Sequence, residues 1–225
     1  MLTRRHRITV FTGNYGSGKT EIALNTALAL KRSGAAQVML ADFDIINPYF
    51  RSALHRDLLE SSGIEFLQPP YALTNVDMPV LSADVLSIFE RHELQTFIDV
   101  GGDDTGAAAI GQFKRFFERE GCDMLYVINA LRPLSSNADD IISMMNEIAA
   151  RIHMQPSGLI NNTNLQDETT AEDVLLGQKV VEEVSARTGI PVWGIGVKPE
   201  LILQLPDELR QLCFEVERKM KIEWL

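Results

Sequence analysis

Residues 13–20 read Gly13-Asn14-Tyr15-Gly16-Ser17-Gly18-Lys19-Thr20. They complete a G-x-x-x-x-G-K-[ST] pattern, the loop whose backbone N–H groups fold into a nest around a polyphosphate. Lys19 places a point charge on the outer phosphates, and the Thr20 hydroxyl is a hard oxygen ligand suited to Mg²⁺. All eight residues, with Glu21 beside them, are candidate nucleotide contacts.

The flanks fit the loop. Residues 8–12, Ile-Thr-Val-Phe-Thr, are apolar and β-branched, as in a buried strand. From Thr20 to about Lys31 the chain is rich in alanine and leucine and free of proline and glycine, which is helix composition, and Gly34 offers a stop. The loop therefore joins a strand to a helix N-terminus, where unpaired N–H groups and the helix dipole favour an anion.

Strand and helix signals alternate along the rest of the 225 residues. Apolar β-rich runs fall at 8–11, 37–41, 96–100, 124–129, 158–161 and 191–195. Helical stretches fall near 21–31, 82–92, 107–119, 137–151, 171–187 and 207–224. Such runs predict an α/β fold: a mostly parallel central sheet with helices on both faces, in three α/β/α layers. The expected organisation is one nucleotide-binding domain over 1–225 with a C-terminal helix at about 207–224. Residues 61–79, with Pro69-Pro70 and Pro79, form the least regular connection.

Composition narrows the function classes. The net charge of −10 opposes non-specific binding to DNA and to anionic membranes, but not nucleotide binding through local dipoles and one lysine. No apolar run is long enough to span a bilayer, and the basic Arg4, Arg5 and Arg7 read as a solvated lead into the first strand. Cys122 and Cys213 are far apart without metal-like spacing, which suits a reducing cytoplasm.

A phosphate loop needs a carboxylate near Mg²⁺. Thr96-Phe97-Ile98-Asp99 is an apolar strand ending in an acid, followed by Val100-Gly101-Gly102. Asp99 at the carboxyl edge of a parallel sheet would hold Mg²⁺ directly or through water. The Gly102 amide would approach a γ-phosphate. A second acidic pair, Asp42 and Asp44, ends the second strand at the same edge, suited to orienting water and supporting the metal.

The loop, the Asp42-Phe43-Asp44-Ile45 segment and Asp99-Val100-Gly101-Gly102 together resemble the MinD/ParA-type ATPases of the CobQ/CobB/MinD/ParA group of P-loop NTPases. The resemblance covers residue 7 to about 200. It implies Mg·ATP binding, slow ATP hydrolysis, and an ATP-dependent homodimer that switches protein partners. It makes Asp44 the residue that positions the hydrolytic water, with Lys19 on the phosphates, and Thr20, Asp42 and Asp99 at the metal. In the family an asparagine near 161–162 bonds adenine, so Asn161 or Asn162 is the base contact. The N-K-x-D pattern that favours guanine is missing from Asn162-Thr163-Asn164, so ATP is preferred to GTP. Residues 197–200 fall where a second base-contacting loop is expected.

One departure is informative. The family's deviant loop carries a lysine directly after its first glycine, reaching across the dimer to the partner's phosphates. Here that residue is Asn14, a neutral amide. Three outcomes stay open: another cation substitutes, Arg51 being one candidate; hydrolysis is very slow; or the sandwich dimer does not form. The C-terminal stretch has an apolar stripe of mixed charge, which favours docking on protein over membrane. Besides an ATPase switch, the residues admit an ATP-dependent carboxylate-activating enzyme and a non-hydrolysing nucleotide-bound adaptor.

Overall fold

A computed structural model of the protein describes residues 1–44, 56–68, 83–101 and 104–219. Gly102, Arg51, residues 69–79 of the irregular connection and residues 220–224 of the expected C-terminal helix lie outside them. Eight strands form one sheet: β1 Ile8–Thr12, β2 Val38–Phe43, β3 Glu65–Leu67, β4 Gln95–Val100, β5 Asp123–Ile128, β6 Gly158–Asn161, β7 Val192–Val197 and β8 Cys213–Glu215. Their order is β3-β2-β4-β1-β5-β6-β7-β8. Every pairing is parallel.

Parallel strands need crossovers, and the helices supply them on both faces. On one face α1 (Lys19–Arg32) and α2 (Arg56–Ser61) cover Phe11, Leu40, Phe97 and Val127. On the other, α3 (Ala83–Glu90), α4 (Asp104–Gly111), α5 (Lys114–Glu120), α6 (Ala138–Ile152) and α7 (Ala171–Thr188) cover Phe43, Ile98, Met124 and Tyr126. Phe89 is central to that second core, with ring centroids of Phe113, Phe116 and Phe117 at 5.8, 4.9 and 5.2 Å. The short helices α8 (Pro199–Ile202) and α9 (Asp207–Arg210) close the C-terminal end.

Three expectations need correction. The helix expected over 107–119 is two helices, because the chain turns after Gly111. A Cβ there would lie 2.6 Å from the Arg151 carbonyl oxygen, so α4 and α6 meet backbone to backbone at that point. The Phe113 amide then donates to the Ile110 carbonyl in a tight turn.

Among the described residues of 207–224 the helix is limited to α9, and β8 follows it. Gly194 and Gly196 leave a shallow slot on β7. Added Cβ atoms would lie 2.8 Å from the Phe214 ring and 3.0 Å from Val216 respectively. Burial of those side chains against the sheet overrides the helical spacing of the local sequence.

The basic N-terminal lead is not simply solvated. Arg4 lies over the Phe97 ring at 4.9 Å and Arg5 over Trp193 at 4.7 Å. Arg7 donates to the Ile88 and Phe89 carbonyls at the end of α3 and to Glu120, at 2.7, 3.2 and 2.9 Å. That cation satisfies carbonyls the helix leaves without partners.

Candidate functional site

The order of the central strands gathers the candidate residues. β1 lies between β4 and β5, and β2 lies beyond β4, so the loop after β1, Asp99 on β4 and Asp42 on β2 share one sheet edge. The register pairs Phe11 with Asp99, and Asp42 with Asp99.

The loop needs two of its glycines for distinct reasons. A Cβ on Gly13 would sit 2.3 Å from the Val127 carbonyl oxygen, so the loop leaves β1 pressed against β5. Gly18 caps α1 in the left-handed region, at φ 87°, and its Cβ would meet Asn162 Nδ2 at 2.3 Å. That Nδ2 donates to the Ser17 carbonyl at 2.7 Å, tying β6 to the loop. The Ser17 amide donates to the Asn14 carbonyl at 3.2 Å, and Lys19 Nζ donates to the same oxygen at 3.1 Å. The lysine is buried to 7% exposure and lies back along the loop it would use to grip a phosphate.

Thr20 Oγ1 donates to Asp99 Oδ2 at 2.6 Å. The other oxygen, Asp99 Oδ1, is buried without a hydrogen-bond partner among the described residues. Burial raises the Asp99 carboxyl to about 7, and the Asp42 charge adds to the shift against Lys19 and the Thr20 hydroxyl. Asp42 is buried, and its Oδ1 accepts from the Asp44 amide at 2.9 Å. Asp44 itself is half-buried at the end of β2. An orphaned carboxylate oxygen beside a hydroxyl and a second carboxylate is a hard-oxygen set that fits Mg²⁺ held partly by phosphates. Among the described residues no group of three or more His, Cys, Asp or Glu side chains could hold a metal without a ligand's help.

Beside the loop opens a cavity of about 180 Å³. Gly18, Glu21 and Asn162 border it on the loop side, and Val174, Gly196 and Val197 form much of its apolar wall. The two candidate asparagines part here. Asn161 is fully buried: its Nδ2 donates to the Val174 carbonyl and Gln178 Oε1 at 3.2 and 3.1 Å, and its Oδ1 accepts from the Thr163 amide at 3.0 Å. It joins β6 to α7 and does not border the cavity, whereas Asn162 does. Of the expected second base loop, Val197 and Lys198 reach the cavity, while Pro199 and Glu200 begin α8.

Among the contributors not legible as site residues are Arg132, Val216 and Arg218, which border the cavity. The C-terminal segment is held there by α1. Asn25 exchanges hydrogen bonds with the Glu217 backbone at 2.9 and 3.0 Å, and the Lys219 amide donates to the Glu21 carboxylate at 3.1 Å. For Arg132 the available signal was position alone, in the turn after a strand that borders β1.

No protein-family model and no curated protein sequence matches the chain. Solved structures do. Chloroplast FtsY from Physcomitrella patens superposes with a TM-score of 0.56 at 17% identity, covering 87% of this chain and 60% of that one. Cell division protein ftsY from Thermotoga maritima gives 0.57 at 18%, covering 88% and 64%. Signal recognition particle receptor FtsY from Elizabethkingia anophelis, in complex with GDP, gives 0.51 at 17%, covering 87% and 58%. The fold is that of a P-loop NTPase. The chain spans less than two thirds of the length of each of these neighbours, and at such identities the likeness is one of architecture.

No described helix is long and apolar enough to cross a membrane.

Proposed function

We propose that the protein binds a Mg·nucleoside triphosphate and acts as a slow, nucleotide-dependent ATPase switch. The observation that carries this is the 2.6 Å bond between Thr20 and Asp99, with the second Asp99 oxygen buried and unpartnered beneath the phosphate loop. The loop amides and Lys19 would take the phosphates. Thr20 and Asp99, with Asp42 behind them, would hold Mg²⁺, which supplies charge neutralisation on the phosphates when bound. Asp44, carried on the same strand end as Asp42, would orient a water for attack. The acids at 42, 44 and 99 support the MinD/ParA branch as the nearest functional analogy.

Adenine is favoured by the wall after β6. Guanine offers N1–H and N2–H₂ donors that a carboxylate meets best. Of the acids near the cavity, Glu21 accepts from the Lys219 amide at 3.1 Å, and Asp167 pairs with Arg218 at 3.1 Å while its carbonyl accepts from Lys198 at 2.9 Å. Asn162 and Asn164 border the cavity with amides that both donate and accept, as adenine requires, although one N–H of each is given to the Ser17 and Asn162 carbonyls. The Elizabethkingia neighbour holds GDP, so GTP is the competitor to test. Titration calorimetry of the full chain with Mg·ATP and Mg·GTP should show tighter ATP binding, abolished by Lys19→Ala. Undiminished affinity in that variant would refute the site. Slow phosphate release from bound ATP would separate a switch from a non-hydrolysing adaptor.

A further inference from the structure

Asn14 leaves the loop without the cation that the resembling family places there, yet a guanidinium lies beside the same loop. β5 runs next to β1, with Thr12 in register with Tyr126, so the turn after β5 hangs over the phosphate loop. Asn129 shapes that turn, accepting from the Arg132 amide through its carbonyl and from the Leu131 amide through Oδ1, both at 3.1 Å. The turn places Arg132 against the loop: a Cβ on Gly16 would lie 3.7 Å from Arg132 Nε and 3.8 Å from its Cδ. The same side chain borders the cavity.

Its hydrogen bonding is incomplete. Arg132 Nε is buried and has no partner among the described residues. The other cations bordering the cavity are engaged, Lys198 with the Asp167 carbonyl and Arg218 with the Asp167 carboxylate. A buried N–H of a charged group is costly to leave unpaired, and an anion arriving at the loop would remove that cost.

Asn14 explains how the turn is held. Its Nδ2 donates to Ser135 Oγ at 3.1 Å and to the Pro133 carbonyl at 3.5 Å, on the two sides of the turn's tip. Its Oδ1 accepts from the Tyr15 amide at 2.7 Å, which fixes the side chain's direction. The residue that stands in place of the missing cation thus fastens to the loop the turn that carries another cation.

We infer that Arg132 supplies, within one chain, a positive charge to the polyphosphate of the bound nucleotide, and that Asn14 positions it. The inference rests on the nucleotide-binding reading above. It makes this site self-sufficient, since no charge need come from a second copy.

The test uses the 225-residue chain and Mg·ATP calorimetry. Arg132→Gln should weaken binding by about tenfold or more, the range of a lost charge-assisted hydrogen bond. Arg132→Lys should fall between that variant and the parent, because it keeps the charge and loses the fork. Asn14→Ala should weaken binding in the parent and add nothing in the Arg132→Gln background. Melting without nucleotide should leave Arg132→Gln as stable as the parent or more so. Equal ATP affinity in the parent and in Arg132→Gln would overturn the inference while leaving the nucleotide reading intact. No ATP binding by the parent would overturn both. Recovery of ATP binding or phosphate release on mixing Arg132→Gln with Lys19→Ala would show the arginine acting across a dimer, and would overturn the one-chain assignment.

Discussion

Asp42 and Asp99 are register partners on adjacent parallel strands, both buried, at the edge where the phosphate loop leaves the sheet. Two carboxylates placed so are not both comfortable as anions, and burial with the Asp42 charge raises Asp99 to about 7. A raised acid stabilises the ligand-free fold below the ordinary carboxylate range, and that contribution is lost as pH rises through about 7. Metal binding runs the other way, because Mg²⁺ must displace the proton.

Mg·ATP affinity should therefore rise by about tenfold from pH 6 to pH 8, as expected for one proton displaced from a group near 7. Calorimetry in buffers of different ionisation enthalpy would count the proton released. Asp99→Asn should bind more weakly at pH 8 and keep only the titration of the nucleotide itself. An unchanged pH profile in that variant would remove Asp99 from the metal site.

Gly18 and Asn162 form one unit, since the Asn162 amide occupies the space a Gly18 side chain would need. Gly18→Ala should cost about 1–3 kcal/mol through its left-handed backbone and the contact with that amide. Asn162→Ala should cost about 1 kcal/mol in stability for the lost bond to Ser17, while lowering nucleotide affinity. In the double variant the clash is gone, so urea denaturation should show a cost below the sum of the two. Strict additivity would mean the contact carries no energy.

The central sheet and the phosphate edge were legible because they are written in long local runs. β1, β4 and β5 are continuous apolar strands, and the loop's residues follow one another in sequence. The edge strands β3 and β8 have three residues each, too few for a period to show, and exist because β2 and β7 offer them a ladder. Asn161 and Asn162 are indistinguishable as letters. The structure separates them because one faces α7 and the other the loop. Arg132 is a single basic residue in a turn, and that turn is tied to the phosphate loop by Asn14, far earlier in the sequence, through Pro133 and Ser135.

Phe214 shows how strongly packing directs the C-terminal segment. It is 5% exposed and rests on Gly194, where a Cβ would come within 2.8 Å of its ring. Phe214→Ala should destabilise by about 2–4 kcal/mol, toward the lower side for an edge strand. Gly194→Ala should also destabilise, by forcing the ring outward. Combining them should cost less than the sum, because alanine at 214 leaves room for the new methyl group. Since the segment after Phe214 is fastened to α1 and borders the cavity, both single variants should also weaken nucleotide binding.

Acid sensitivity should be concentrated at the opposite end of the sheet. Glu120 accepts from Arg7 at 2.9 Å and from Arg119 at 2.9 Å, and those bonds hold its carboxyl down to about 2 against the opposing effect of burial. A depressed acid contributes stability above its unfolded value of about 4.3, and that contribution disappears as pH falls through about 2. The stability gap between the parent and Glu120→Gln should be full at pH 6 and close steadily between pH 4.5 and 2, as followed by urea denaturation. The Arg7 guanidinium, still bonded to the Ile88 and Phe89 carbonyls, keeps α3 capped in the variant. The loss should therefore reflect the ion pair and not the helix end. A gap that stayed constant down to pH 2 would show that the glutamate is not held as an anion by its arginines.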